Sequence, residues 1–386
     1  MGEKRNANRA ATRKLGNGIK SYVMVIALVV LWLVFSMLTK GVFIMPRNMS
    51  NLFRQMATTG IISIGMTMVI ISGFMDLSIG SVVGATSALV AVMVTNHGAS
   101  PLLAIVLALL FGVAIGAFEG FWACYMRVPS FIVTLGGQLI FRGATLFITQ
   151  SKSIKVNNPD IIYIGQAYVP FLFGIVLAAL AAAVIILSEV KARKDRARYN
   201  FELAPVGKSV RKVAVTLFFI GIFMWVMYAY KGIPIALLIL LVLAVAANFV
   251  LTKTKFGNSE YAIGGNAQAA RLSGIDDRKV AFIAFLILGL TGAISGIVLT
   301  GRLAAGMPSS GAGMELDAIA ACVIGGVSLS GGKGNVWGAL VGALVMSSIA
   351  NGMSLLSLQT YMQDVINGLV LIIAVFADVV SLKSSN

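Results

Sequence analysis

Charged residues are scarce in this chain. Only 11% of its 386 residues are Asp, Glu, Lys or Arg, against roughly 25% in soluble domains. Hydrophobic residues make up 58% of the sequence, so a water-soluble globule could not cover its surface with so few charges. The composition therefore excludes an ordinary soluble domain and predicts an integral membrane protein with one membrane domain.

Histidine and cysteine are almost absent, which removes most catalytic and metal-binding chemistry. The single histidine, His97, lies in the predicted turn TNHGASP, and we interpret it as a solvated loop residue. Cys124 and Cys322 lie in apolar runs without the spacing of metal ligands. We interpret both as small buried hydrophobic residues. No Ser/His/Asp or Cys/His set can be built, because the lone histidine has no evident partner, so the sequence predicts no catalytic residue and no metal site.

Acidic residues are also few, and the net charge is +16. The basic residues form three blocks between apolar runs, from Lys4 to Lys20, Lys191 to Lys212 and Lys253 to Lys279. Membrane proteins place such blocks in the cytoplasm. A stripe of basic residues interleaved with aromatic residues, typical of nucleic-acid binding, is missing. The pattern predicts a membrane partner and no nucleic acid.

The three basic blocks give the predicted topology. We expect residues 1–20 to form a basic cytoplasmic segment before an uncleaved first span, rather than a signal peptide. Residues 190–212 and 252–279 are predicted cytoplasmic loops. The 190–212 loop could contact anionic lipid head groups or only hold the topology, and we favour the second role.

Long apolar runs fill the rest of the chain, and a spanning helix needs about 20 such residues. The candidate spans are 21–39, 52–73, 76–95, 101–124, 131–149, 169–189, 213–230, 233–251, 280–300, 316–330, 336–352 and 361–380. Several are short or interrupted by glycine. We therefore predict an all-α polytopic membrane protein, with 21–380 as one transmembrane domain of about 10–12 helices, including broken or half helices. An even number of spans places both termini in the cytoplasm.

Two of these regions look discontinuous. The stretch IISGFMDLSIGSVVG (70–84) holds Asp76 among apolar residues, and GMELDAIAACVIGGVSLSGGKGN (313–335) begins with Glu315 and Asp317. Paired broken segments in the two halves of a chain indicate a transport path. Both contain Met, an acid and Leu in sequence, which fits either an internal repeat or chance. For the carboxylates we favour a structural role at half-helix N-termini over contact with a solute.

A polar island, EYAIGGNAQAARLSGIDDRKV (260–280), interrupts the apolar sequence. Asn266 is a good N-cap, AQAARL has high helix propensity and Gly274 suits a left-handed stop. The island therefore predicts a helix of about two turns, which is too short to persist alone in water. It is either held in the groove of a partner protein or is a plain connecting loop.

The island closely resembles the cytoplasmic loop of monosaccharide permeases of the ABC importer class, which includes ribose, galactose and xylose permeases. Three other segments are similar to the same family, in the same order: GMTMVIISGFMDLSIGSVVG, VPSFIVTLGGQLIFRG and ELDAIAACVIGGVSLSGGKGNVWGALVGALV. The resemblance covers most of the chain from about residue 50 to 380. The 190–212 insert resembles the longer permeases associated with xylose or several monosaccharides. Phe74 and Met75, before the Asp-Leu-Ser, and Glu119 depart from the family pattern.

The resemblance implies that 21–380 is the permease domain of an ATP-driven importer, which moves a monosaccharide, xylose or several aldoses, into the cytoplasm. The implied partners are a separate ATPase subunit, a periplasmic or lipid-anchored sugar-binding protein, and a second permease copy in the same cell (inner or plasma) membrane. ATP and Mg would bind the ATPase subunit, so we expect no cofactor on this chain. SGGKGN fails the phosphate-loop pattern, because Val327 stands where glycine is required and Gly334 follows the lysine.

Two sets of residues carry the expected function. The ATPase-coupling residues are predicted to be Gly264, Gly265, Asn266, Ala269, Ala270, Arg271, Leu272 and Gly274. In that helix we expect Arg271 to pair with an acidic partner wall and Ala269, Ala270 and Leu272 to form the packed face. The translocation path is predicted to be lined by Ser72, Asp76, Ser78, Glu119, Thr134, Gln138, Arg142, Glu315 and Asp317. Within it we expect Arg142 to pair with Glu119 or Asp76.

Three rival functions would each require different features of the same sequence. An ion-coupled secondary transporter of small polar solutes would use Asp76 and Glu119 as proton sites. A membrane enzyme, such as a lipid-linked glycosyl transferase, would need a carboxylate or metal cluster at a membrane face, which the sequence does not suggest. A structural scaffold would not need polar residues in its broken segments.

Overall fold

The structure is a computed structural model that describes residues 24–199, 201 and 205–383. The predicted segment 1–20 and part of the 190–212 loop lie outside the described residues. The helices are α1 (Met24–Leu38), α2 (Pro46–Ile71), α3 (Ile79–Thr95), α4 (Pro101–Gly120), α5 (Ser130–Thr149), α6 (Pro159–Gln166), α7 (Phe171–Arg198), α8 (Val206–Tyr228), α9 (Ile235–Lys253), α10 (Lys255–Gly265), α11 (Ala267–Leu272), α12 (Asp277–Leu303), α13 (Met314–Ile324), α14 (Val336–Leu355) and α15 (Thr360–Lys383). Short 3-10 and π-helical turns precede α2 (Val42–Ile44) and follow α4 (Phe121–Tyr125), and strands β1 (Ile154–Lys155) and β2 (Ala305–Gly306) pair antiparallel.

The helices confirm the all-α polytopic class. Within the described residues, nine helices are long and apolar enough to cross a membrane, and α1 and α3 are shorter apolar helices. With the half helix α13 they give twelve passages of alternating direction. The number agrees with the predicted 10–12 spans, and because it is even, the described chain starts and finishes at the same end of the bundle.

The two ends of the bundle are identified by contacts between distant segments. At one end, the amide of Gly332 donates to the carbonyl of Ile71 (2.8 Å), beside α10. At the other end, Asn48 donates to the side chain of Asn351 (2.8 Å). We call the first the inner end, because the basic 252–279 loop lies there and such loops are cytoplasmic, and the second the outer end.

The core is built around α2 and α12. In their most apolar 18-residue windows, 89% of α2 and 67% of α12 are buried, against 6% for α7 and for α8. Small residues let the neighbouring backbones approach closely: Gly112 and Gly116 of α4 pack directly on Gly289 and Phe285 of α12. Gly112 and Gly116, four residues apart on one face of α4, therefore serve the close packing of α4 on α12.

Both predicted breaks are present, and they meet. Residues 72–78 separate α2 from α3 without forming a helix, and the turns after β2 lead into α13, a helix of only 11 residues. The Glu315 side chain lies against Gly80, and the Ser310 carbonyl lies against Gly84. Segments far apart in sequence are thus joined inside the bundle.

One helix of the outer end was not predicted. In α6, Asn158 caps the helix by accepting from the amides of Asp160 (3.0 Å) and Ile161 (3.3 Å). The helix has eight residues, too few to cross a membrane. A search for spans therefore passes over it.

Candidate coupling and translocation sites

The polar island folds as two short helices joined by one residue. Asn266 ends α10 and begins α11, and its side chain accepts from the amide of Ala269 (2.9 Å). The helix α11 has six residues. It is followed by Gly274, whose φ of +82° is the left-handed conformation expected of a stop. The local prediction for this segment is confirmed.

A salt bridge fastens α11 to the start of α12. Arg271 Nη2 lies 2.6 Å from Asp277 Oδ2, and Asp276 caps α12 by accepting from the amide of Lys279 (3.1 Å). The hydrogen bond from Arg271 to Asp277 raises the pKa of Arg271. In the structure the carboxylate partner of Arg271 belongs to this chain, and the expected contact of Arg271 with an acidic wall of a partner protein stays a prediction.

The exposed face of α11 differs from the predicted one. Ala270 is 4% exposed and packs inside the chain, whereas Leu272 is 84% exposed. Ala269 is also exposed. The predicted packed face is thus corrected: Ala269 and Leu272 remain available to a partner, and Ala270 holds α11 on its own protein.

Beneath α11, three segments meet at close range, and we call this the inner junction. A methyl group at Gly264 of α10 would overlap the carbonyl oxygen of Ile71 at the end of α2, so only glycine fits there. The Tyr261 hydroxyl donates to the carbonyl of Gly334 (2.8 Å), and Gly332 donates to Ile71. The loop that superficially resembled a phosphate-binding loop therefore packs on α10 and α2.

Glu260 is a residue of this region that the sequence analysis missed. It is fully buried, and in the described part of the chain neither carboxyl oxygen has a hydrogen-bond partner. Burial raises the pKa of Glu260 to about 9, so the group is protonated at neutral pH. The signal was its spacing from Gly264: residues four apart share a helix face, and Gly264 faces inward.

At the first break, Asp76 caps α3. Its Oδ1 atom accepts from the amides of Ser78 (2.7 Å) and Ile79 (2.9 Å) and from the Ser78 hydroxyl (2.9 Å). A carboxylate is favourable at a helix N-terminus. Asp76 thus occupies the helix-capping position that the favoured structural role requires.

Five of the predicted path residues come together between α3, α4, α5 and α13. The Glu119 carboxyl lies beside Asp76 and Ser78 and rests on Gly137 of α5. Gln138 donates to Glu315 Oε1 (2.9 Å). Among the described residues, Asp76 Oδ2 and Glu119 Oε1 have no hydrogen-bond partner. We call Asp76, Ser78, Glu119, Gln138 and Glu315 the polar cluster.

The other predicted path residues do not join the polar cluster. The Thr134 hydroxyl donates to Ser130 in its own helix (2.9 Å), and Ser72 is buried at the end of α2. Asp317 occupies the first turn of α13, on the side of Asp364 in α15.

Arg142 is half-buried near Glu315. The two ion pairs in the described residues are Lys212–Glu189 and Arg271–Asp277. The predicted pairing of Arg142 with Glu119 or Asp76 is wrong.

The outer end holds a second group that was missed, which we call the outer cationic cluster: Arg54 and Lys231 lie over the Tyr168 ring, and Arg302 lies near Arg54. Arg54 lies 5.6 Å and Lys231 5.8 Å from the centre of the Tyr168 ring. Within the described chain, the buried Nε atoms of Arg54 and Arg302 have no hydrogen-bond partner. Both arginines lie within or next to predicted spans. Ionisable residues in that position are candidates for function, which is how the sequence could have revealed them.

Comparison with known proteins shows which family this chain is similar to. The family described as "Branched-chain amino acid transport system / permease component" matches residues 48–375. The chain is 40% identical to the xylose transport system permease protein XylH of Escherichia coli K12, over 94% of this chain and 93% of the relative. It is 34% identical to the ribose import permease protein RbsC of Bacillus subtilis 168, over 95% and 92%. The chain matches no solved structure.

These matches span nearly the whole chain, and a transport permease agrees with the bundle of apolar helices. The xylose permeases share more identity with the chain than the ribose permeases do, as the resemblance of the long basic insert led us to expect. The chain therefore belongs to the ABC sugar permease family, as a multi-pass transport component rather than an enzyme.

Proposed function

We propose that this chain is the membrane-spanning permease of an ATP-driven importer that moves a monosaccharide, xylose or several aldoses, across the cell inner or plasma membrane. The observation that carries the proposal is the exposed helix α11, whose Leu272 side chain is 84% exposed directly above the inner junction. The similarity to xylose permeases over most of the chain supports the choice of sugar.

In this proposal a separate ATPase subunit binds ATP and Mg²⁺ and docks on α11. Leu272 and Ala269 enter a groove of that subunit, because an exposed apolar side chain on a short helix is stabilised by burial in a partner. In this proposal the nucleotide site lies on that subunit and not on this chain.

The contacts of α11 define the route of force. Asn266 joins α11 to α10, and the Arg271–Asp277 pair joins it to α12. Through Gly264, α10 rests on the end of α2 and on the loop before α14. A push on α11 therefore acts on the two central helices at once.

The sugar path is proposed to pass the polar cluster. Sugar hydroxyls both donate and accept hydrogen bonds, and Gln138 with Glu119 and Glu315 offers amide and carboxyl partners for them. Asp76 stays engaged by its cap of α3, so its role there is to hold the helix. High-affinity recognition belongs to the sugar-binding protein.

At the outer end, we place the docking of that sugar-binding protein on the outer cationic cluster. Arg54 and Arg302 are half-buried, and each has a buried Nε atom without a hydrogen-bond partner in the described residues, which costs free energy. Neither forms an ion pair there. Carboxylates on the sugar-binding protein would form ion pairs with these two arginines. A second copy of this chain completes the transporter, since two ATPase subunits need two coupling helices.

The rival ion-coupled transporter is less well supported. It would use Asp76 and Glu119 as exchangeable proton sites, but Asp76 Oδ1 accepts three hydrogen bonds in the α3 cap. The similar proteins are named as transport-system and import permeases, which favours a subunit that works with a separate ATPase.

Co-purification after mild solubilisation tests the proposal. Leu272→Asp is expected to reduce the retained ATPase at least about tenfold, since it removes an apolar anchor worth roughly 2 kcal/mol. Leu102→Asp is the matched control, because Leu102 is 72% exposed but lies at the outer end. If Leu272→Asp retains the ATPase as well as Leu102→Asp does, α11 is not the docking element.

A further inference from the structure

The inner ends of α7 and α8 enclose a basic cleft. The cleft has a volume of about 650 Å³, and its charged lining consists of Glu189, Arg193, Arg196, Lys208, Arg211 and Lys212. It lies where the 190–212 insert leaves the membrane. Holding the topology would need basic residues near this loop, but it would not need them to converge on one space.

Most of the positive charge in the cleft is not neutralised by the protein. Glu189 accepts from Lys212 (2.9 Å) and from Ser209 (2.7 Å), and Arg193 donates to the Ser209 hydroxyl (2.9 Å). Glu189 is the only carboxylate of the described lining, against five cations. Arg196, Lys208 and Arg211 thus form no ion pair in the described residues.

The walls of the cleft continue into surfaces that face lipid. Along α7, Val184 and Leu187 are each 65% exposed, and along α8, Phe218 is 65% and Phe219 64% exposed. These apolar side chains lie within helices long and apolar enough to span the membrane. The cleft therefore suits a molecule that has both an anionic group and hydrocarbon chains. The anionic group would bind the cations, and the hydrocarbon chains would lie along the adjoining apolar walls.

We propose that this cleft binds the phosphate headgroup of an anionic phospholipid of the cytoplasmic leaflet. Arg196, Lys208 and Arg211 hold the phosphate oxygens, and the acyl chains lie along α7 and α8. A free phosphate would satisfy the same cations, but it would leave the adjoining apolar walls unused. The lipid would also connect α7 to α8. These two helices have few contacts with the core, such as that of Phe223 with Phe53, whose ring centres are 5.4 Å apart.

Lipid titration of the purified full chain, followed by native mass spectrometry, tests this site. The probes are phosphatidylglycerol and phosphatidylcholine with identical acyl chains. Wild-type protein is expected to bind phosphatidylglycerol at least about tenfold more tightly, since each basic residue near a membrane contributes about fivefold. The Arg196→Gln, Lys208→Gln, Arg211→Gln variant is expected to lose that preference.

The matched control removes the same charge from the same insert outside the cleft. Lys191→Gln, Lys194→Gln, Arg198→Gln changes three exposed residues that do not line the cleft, and it is expected to keep clearly more of the preference for phosphatidylglycerol than the cleft variant does, because these side chains do not reach a headgroup held in the cleft. Equal losses in both triple variants would show a diffuse surface charge and overturn the site. So would equal affinity of the wild-type protein for the two lipids.

Two further arms complete the test. Millimolar inorganic phosphate is expected to compete weakly; if it displaces phosphatidylglycerol as well as an unlabelled lipid does, the site binds free anions and the lipid assignment fails. Photoactivatable phosphatidylglycerol on the wild-type protein is expected to label residues 189–216. Labelling confined to other segments contradicts the proposal, without relying on any variant that folds poorly.

Discussion

The inner junction and the outer cationic cluster are built on opposite principles. At the inner junction, backbones touch: α10 rests on Ile71 through Gly264, and the buried Glu260 is protonated at neutral pH. At the outer cationic cluster, Arg54 and Arg302 keep buried Nε atoms with no hydrogen-bond partner in the described chain. The inner end is held together by contacts within the chain, whereas the outer end keeps arginine donors without a partner in the described residues.

This difference fits the two kinds of contact that an importer needs. A force is transmitted only through parts that do not yield, and closely packed backbone has low compressibility. A partner that arrives and departs is better recognised by charge, since complementary charges speed association without locking the complex. The account therefore predicts steric sensitivity at the inner end and salt sensitivity at the outer end.

The largest effect is expected from Gly264→Ala. The added methyl would overlap the Ile71 carbonyl, and overpacking of this kind costs about 1–3 kcal/mol. We expect sugar uptake to fall roughly ten- to a hundredfold, with the protein still inserted in the membrane. Gly221→Ala is the matched control, because Gly221 is also a helical glycine and a methyl there meets open space. Equal uptake by the two variants would show that the close contact between Gly264 and Ile71 is not needed for transport.

An intermediate effect is expected at the outer end from Arg54→Gln combined with Arg302→Gln. Uptake that depends on the sugar-binding protein should fall about tenfold at low salt, since each lost charge pair costs on the order of 1 kcal/mol, and by less at high salt because of screening. Lys152→Gln, which removes an exposed outer cation, should change little. A loss independent of salt would indicate a packing defect rather than docking.

The smallest effect on uptake is expected from Glu260→Gln, which acts on stability. The pKa of Glu260 rises from 4.5 to about 9 on folding, so the folded state holds a proton that the unfolded state releases. Stability therefore falls as pH rises from about 4.5 to 9. The variant should have a higher Tm than wild type, with a difference that grows from pH 5 to pH 9. A constant difference would refute the protonated state, and Asp160→Asn, at an exposed carboxylate, serves as control.

Local patterns predicted much of this structure. The apolar runs gave the span-sized helices, and Asn266 and Gly274 marked the ends of α11 because capping depends on a few neighbouring residues. The family resemblance also directed attention to this segment. The cap that Asp76 forms on α3 is equally local.

Contacts between distant segments could not be predicted in this way. Nothing in the sequence around Arg271 shows that Asp277 turns back to meet it, or that Ala270 faces its own protein. The expected pair of Arg142 failed because charge alone does not set the rotation of a helix. Glu260 escaped notice since it lies outside the apolar runs, although α10 is packed against them.

Uptake of labelled xylose into proteoliposomes shows directly whether transport by this chain depends on a separate ATPase that docks on α11. The purified chain is reconstituted alone, with its ATPase and sugar-binding protein, and with both partners but carrying Leu272→Asp. The account predicts ATP-dependent accumulation only with the complete wild-type set. Accumulation by the chain alone, or undiminished accumulation with Leu272→Asp, would contradict it.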